Sequence, residues 1–64
     1  MNEQATTLAK ARRARHLTQF ALSRRVGCSE SQIAKIETGR ATPTPELKQS
    51  LARELGVRTW EVGR

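Results

Sequence analysis

The sequence predicts an all-α fold, a compact domain of four to five helices, the fifth only begun before the chain ends. Three observations carry that reading. Apolar residues recur at helical spacing as Leu22 and Val26, as Ile33 and Ile36, and as Leu47, Leu51 and Leu55. Helix-starting residues stand ahead of these runs at Thr18, Ser29 and Thr44-Pro45, and glycines close them at Gly27, Gly39 and Gly56. No stretch alternates apolar and polar residues as a strand would, and no repeat or low-complexity tract interrupts the pattern.

A chain of 64 residues makes one domain, residues 1–64. Such a domain buries only about 60% of the surface it exposes when unfolded, so its core is small and its stability marginal. An enclosed catalytic pocket does not fit beside that core. No paired carboxylates, nucleophile–base set or phosphate loop is present, so no catalytic residue is expected and the chain is not read as an enzyme. One Cys cannot form an intramolecular disulfide, and with a single His it makes a poor metal site; no metal, cofactor or small-molecule ligand is expected. The polar opening from Met1 to Thr7 is unlike a signal peptide, and no apolar run approaches the roughly 18 residues that span a bilayer. A cytoplasmic location is the expectation, with no membrane partner.

Charge narrows the partner class. The net charge is +6, and it is uneven. Residues 1–26 hold six basic side chains against Glu3, leaving +5; residues 27–64 hold six against five, leaving +1. A basic block attracts polyanions, nucleic acid among them, and says nothing of fold.

Taken in order, residues 1–5 read as a flexible arm. A first helix spans Thr7 to Arg15, capped by Thr6 or Thr7, with Leu8, Ala11 and Ala14 inward and Lys10, Arg13 and Arg15 in water. His16 and Leu17 connect it to the next, His16 as a solvated turn residue. Thr18 caps the second helix, although Ala21 occupies the place where an acid or amide would complete a capping box. Leu22 and Val26 face inward there, Arg24 and Arg25 outward. Ser29 and Gln32 form an S-x-x-Q capping box for the third helix, and Glu30 suits its positive first turn. Only Ile33 and Ile36 face its core side. Glu30, Ser31, Gln32, Lys35 and Thr38 are left outward, a surface offered to something else. Arg40 to Pro43 is a loop. Thr44, Pro45 and Glu46 then open the fourth helix, Ala52 supports its leucines, and Val57 tucks under the core after Gly56. Thr59 to Val62 begins the fifth helix.

The second and third helices are joined only by Gly27, Cys28 and Ser29, too short a link for a side-by-side hairpin. Two helices with such a turn cross steeply, which makes residues 18–39 a helix-turn-helix. Cys28 reads as a half-buried turn residue without a second Cys for redox chemistry. The sequence leaves open whether Phe20 packs or stays exposed, and whether Trp60 closes the core or a dimer contact.

Leu17-Thr18-Gln19, Leu22, Val26-Gly27, Ser29, Ile33, Ile36-Glu37-Thr38-Gly39, Pro43 and Leu55-Gly56-Val57 together resemble the Cro and phage-repressor type of helix-turn-helix domain, the lambda-repressor-like fold. The resemblance covers Leu8 to Val62. It implies five helices around a small core, with the third in the major groove of DNA. It also implies roles by position. Ser29, Glu30, Ser31 and Lys35 would reach base edges, the alternative for Ser29 being capping plus a phosphate contact only, with Gln32 one position further round. Lys35 can donate to guanine O6 and N7, and Glu30 can accept from cytosine N4. Gln19, Thr38 and Arg40 would grip the phosphate backbone, helped by the anion-favouring start of the second helix. Arg12 and Glu37 would form a partly buried structural ion pair between the first helix and the end of the third.

The function so implied is sequence-specific binding of double-stranded DNA by a bacterial or phage transcription regulator. It would be a repressor-like protein that meets an inverted-repeat operator as a homodimer. The alternatives are an antitoxin of a toxin–antitoxin pair, or a protein-interaction, coactivator-bridging module of the same fold.

Overall fold

The computed structural model describes residues 7–58. Four helices follow one another: α1 (Thr7–Ala14), α2 (Gln19–Val26), α3 (Glu30–Glu37) and α4 (Pro45–Leu55), with no strand among the described residues. The arm at residues 1–5, the cap option at Thr6 and the fifth helix with Trp60 and Val62 lie outside them.

Hydroxyl caps start three of the helices. Thr18 Oγ1 accepts from the Ala21 amide at 2.9 Å, Ser29 Oγ from Gln32 at 3.0 Å and Thr44 Oγ1 from Leu47 at 3.2 Å. Each satisfies one of the orphan amides of a first turn. At α3 only this half of the capping box forms, because among the described residues the Gln32 side chain makes no return bond. α1 begins with Thr7 already helical, so Thr7 is not its N-cap.

α1 ends one residue earlier than its pattern suggests, and its stop is unusual. His16 takes a left-handed φ of 58°, its amide donating to the Arg13 carbonyl at 2.9 Å and that of Leu17 to the Arg12 carbonyl at 3.2 Å. The other three helices put glycine at the equivalent place, with φ between 67° and 78°. The shortened helix also turns its alanines differently from the expectation. Ala11 packs half-buried on the core as expected, but Ala14, expected inward, is exposed, and Ala9 is buried instead. Arg15, expected in water, donates from Nε to the Leu55 carbonyl at 3.1 Å and so covers the open end of α4.

Leu8, Leu22, Ile33, Ile36, Leu51, Ala52 and Leu55 form the core, with Ala11, Leu17, Val26, Cys28, Ala41, Leu47 and Val57 packed half-buried around it. α2 packs on both α3 and α4, and α1 on α4. Ser23 is fully buried on α2, its hydroxyl donating to the Phe20 carbonyl at 2.6 Å. A small, self-satisfied polar residue there lets the α2 backbone approach its neighbours without an unpaired group. The second and third helices are thereby fixed against one another, and the rest of the chain fills in behind them.

Candidate nucleic-acid interface

α3 has a closed side and an open side. On the closed side Ile33 and Ile36 enter the core and Glu37 is buried with them. Glu37 ends the helix, where a carboxylate opposes the helix dipole and requires a counter-charge. Arg12 supplies it. Its Nε lies 2.6 Å from Glu37 Oε2, its Nη2 donates to Oε1 at 3.2 Å, and its Nη1 donates to the Leu17 carbonyl at 2.8 Å. The side chains retain only 10% and 5% of their exposure. One guanidinium thus joins α1, the α1–α2 link and the end of α3, and every charged atom of the pair has a partner.

Gln19 joins the same network. Its Nε2 donates to Glu37 Oε1 at 3.0 Å, which sets the start of α2 beside the end of α3. The bond occupies one of the two amide protons and leaves one for an anion. Thr18 already caps Ala21, so the amides of Gln19 and Phe20 in the first turn of α2 remain outside that cap.

The open side carries Ser31, Lys35 and Thr38 exposed and Ala34 half-buried. With Arg40 these residues line a shallow depression of about 280 Å³ on the outer face of the helix. Lys35 and Arg40 have no ion-pair partner among the described residues. Thr38 is arranged otherwise than a phosphate-donating role requires. Its hydroxyl donates to the Ala34 carbonyl at 3.0 Å and to that of Lys35 at 3.2 Å, so the proton is spent within α3. To donate to a phosphate, Thr38 would first have to release those carbonyls.

Ser29 and Glu30 lie at the other end of α3, both exposed, with the Ser29 hydroxyl engaged in its cap. The structure therefore brings Ser31, Lys35, Thr38 and Arg40 to one depression, keeps Ser29 and Glu30 at the first turn, and ties Gln19 to the far end. Gln32 is half-buried. Ala34, in the depression, was not singled out as a contact residue from sequence. Its spacing to Ser31 and Thr38 placed it on their face, but a small apolar residue between polar ones carries no chemical signal.

Phe20 stands 57% exposed on α2, with the Arg24 guanidinium 5.9 Å from its ring centroid. Cys28 closes the turn half-buried, and burial pushes its thiol pKa up from the ordinary value. No helix among the described residues is long and apolar enough to cross a membrane.

A short turn between two capped helices, the second presenting an outer face whose cations are unpaired among the described residues, is an arrangement suited to binding nucleic acid. A helix-turn-helix family model matches residues 8–59, and the chain belongs to that family, the Cro and repressor type of lambda-repressor-like DNA-binding domains. It is an all-α DNA-binding regulator domain. Searches of curated proteins and of solved structures returned no match.

Proposed function

We propose that this domain is a repressor-like transcription regulator that binds an inverted-repeat operator as a homodimer, laying α3 in the major groove of each half-site. The observation that carries the reading is the depression lined by Ser31, Ala34, Lys35, Thr38 and Arg40, an open helix face whose two cations are unpaired among the described residues. Lys35 and Ser31 read base edges from it, Lys35 most naturally at guanine. Glu30, in the first turn, accepts from a cytosine amino group and repels alternatives that place an acceptor or a phosphate there. Arg40 positions the backbone at one end of α3, together with Gln19 and the free amides at the start of α2. Ser29 keeps its capping role and meets a phosphate at most. Thr38 contributes to the same end only if its hydroxyl turns outward.

The test is selection of bound duplexes from a random library, followed by affinity against salt on the winner. An enriched palindrome with half-sites about one helical turn apart supports a dimeric reader. Arg40→Ala should then weaken all sequences alike and flatten the salt slope by about one unit. Binding without any preferred sequence would overturn the operator-reading role. A second reading, contact with a protein, draws support from the exposed Phe20 ring, a side chain commoner at interfaces than on free surfaces. Loss of regulation with unchanged operator affinity in Phe20→Ser would favour it.

A further inference from the structure

We propose that Ala34 is a specificity-determining residue, whose methyl group packs on the 5-methyl of a thymine in each half-site, beside the base met by Lys35. The inference rests on the DNA-reading role of α3 and names one base that this face selects.

Of the five residues lining the depression, Ala34 alone has no polar atom in its side chain. It is half-buried, between exposed Ser31 one turn before and exposed Thr38 one turn after. Thr38 sharpens the point. Its Cβ bears a hydroxyl and a methyl, and the hydroxyl is held on the Ala34 and Lys35 carbonyls at 3.0 and 3.2 Å. What Thr38 adds to the outer face is therefore chiefly its methyl. The exposed lining of the depression is more apolar than polar, and Lys35 and Arg40 belong to it.

A base edge set over two methyl groups can form no hydrogen bond there, and a polar edge loses its water without replacement. The major groove offers one apolar group, the thymine C5-methyl. Guanine, cytosine and adenine each present polar atoms instead. The small side chain matters as well as its polarity, because a longer residue at position 34 would fill the space the methyl enters. Lys35, adjacent on the helix, keeps its own polar contact to the neighbouring base or phosphate.

The experiment uses the duplex selected from the random library. Each thymine is replaced in turn by uracil, which deletes only the methyl group, and Kd is measured for the wild type, Ala34→Gly and Ala34→Ser. One thymine per half-site should weaken wild-type binding about fourfold on replacement, the worth of one buried methyl group. At that position the uracil-to-thymine ratio should fall to about one in Ala34→Gly, and remain unchanged at every other thymine. Ala34→Ser, which disturbs the helix less than glycine, should also reduce the ratio, and a thermal melt confirms that both variants are folded. A selected operator on which no thymine methyl affects binding, or on which the ratio survives in both variants, overturns this inference and leaves the operator-reading role standing. Failure to select any sequence overturns that role, and this inference with it.

Discussion

The closed and open faces of α3 share one helix of eight residues and obey opposite rules. Ile33, Ile36 and Glu37 are at most 7% exposed and each is fixed by what surrounds it, Glu37 by three donors from Arg12 and Gln19. Ser31 and Lys35, a turn apart on the other side, are exposed and make no side-chain hydrogen bond or ion pair among the described residues. Substitution on the first face is a folding experiment; on the second it is a binding experiment. A domain arranged this way can change what it reads without changing how it folds, since the two demands fall on different positions.

The largest expected effect lies on the closed face. Glu37→Ala leaves Arg12 buried and uncompensated and removes the partner of Gln19, and should cost about 3–5 kcal/mol. A domain with about 5–15 kcal/mol in hand would lose much of its folded population. Replacing both partners with apolar residues, Arg12→Met with Glu37→Leu, should recover most of the loss, because no charge is then stranded. Urea unfolding of the single and double variants measures both. The comparison of faces breaks if the single change costs less than about 1 kcal/mol, the value of an exposed pair such as Arg25 with Glu54, 3.5 Å apart.

Lys35→Ala is the counterpart on the open face. Stability should move by no more than about 0.5 kcal/mol, as for a surface change without partners. Discrimination at one half-site position should fall by about 1–3 kcal/mol, read as the ratio of Kd values across single-base variants of the operator. Equal weakening on all sequences would instead make Lys35 a phosphate contact, and the depression a grip rather than a reader.

These two faces were not equally legible beforehand. The closed face followed from spacing and caps: Thr18, Ser29 and Thr44 accept the amide three residues on, and the β-branched pair Ile33 and Ile36 went inward. α1 was harder, for a physical reason. Leu8 is its only strongly apolar residue, alanines mark no face, and its stop is His16 rather than glycine, so its pattern runs one residue past the observed end and sets Ala14 on the inner face. On the open face the polar positions stood out by their chemistry. The bonds that decide how they are used did not, because Gln19 meets Glu37 across 18 residues and Thr38 folds back on its own helix. Ala34 was invisible until its neighbours enclosed it.

His16 belongs to neither face, and so separates the two measurements. It holds a left-handed φ of 58° that costs a side-chain-bearing residue roughly 1–2 kcal/mol, part of which glycine would return as unfolded-state entropy. His16→Gly should therefore stabilise the domain by about 0.5–1 kcal/mol by thermal or urea unfolding. Operator affinity should stay the same. An affinity change at constant stability would place the α1–α2 turn at the DNA surface.

Cys28 marks where the closed region ends, and the expected effect there is the smallest. The thiol packs half-buried against the core, and burial raises its pKa above the ordinary value. The fold therefore favours the protonated thiol. As pH rises through the ordinary thiol value, the unfolded chain releases its proton first, so stability is whole below that window and declines across it toward the raised folded pKa. The chain has no tyrosine, whose phenol would titrate close above that window, which helps keep the thiol's share readable. Urea unfolding at neutral pH and through that window should show a decline in the wild type that is smaller in Cys28→Ala. Alkylation of the native thiol should likewise be slower than in the urea-unfolded chain, since the thiolate is the reactive form. Matching pH slopes together with equal alkylation rates would move Cys28 to the open region and shrink the packed part of the turn to Val26 and Ile33.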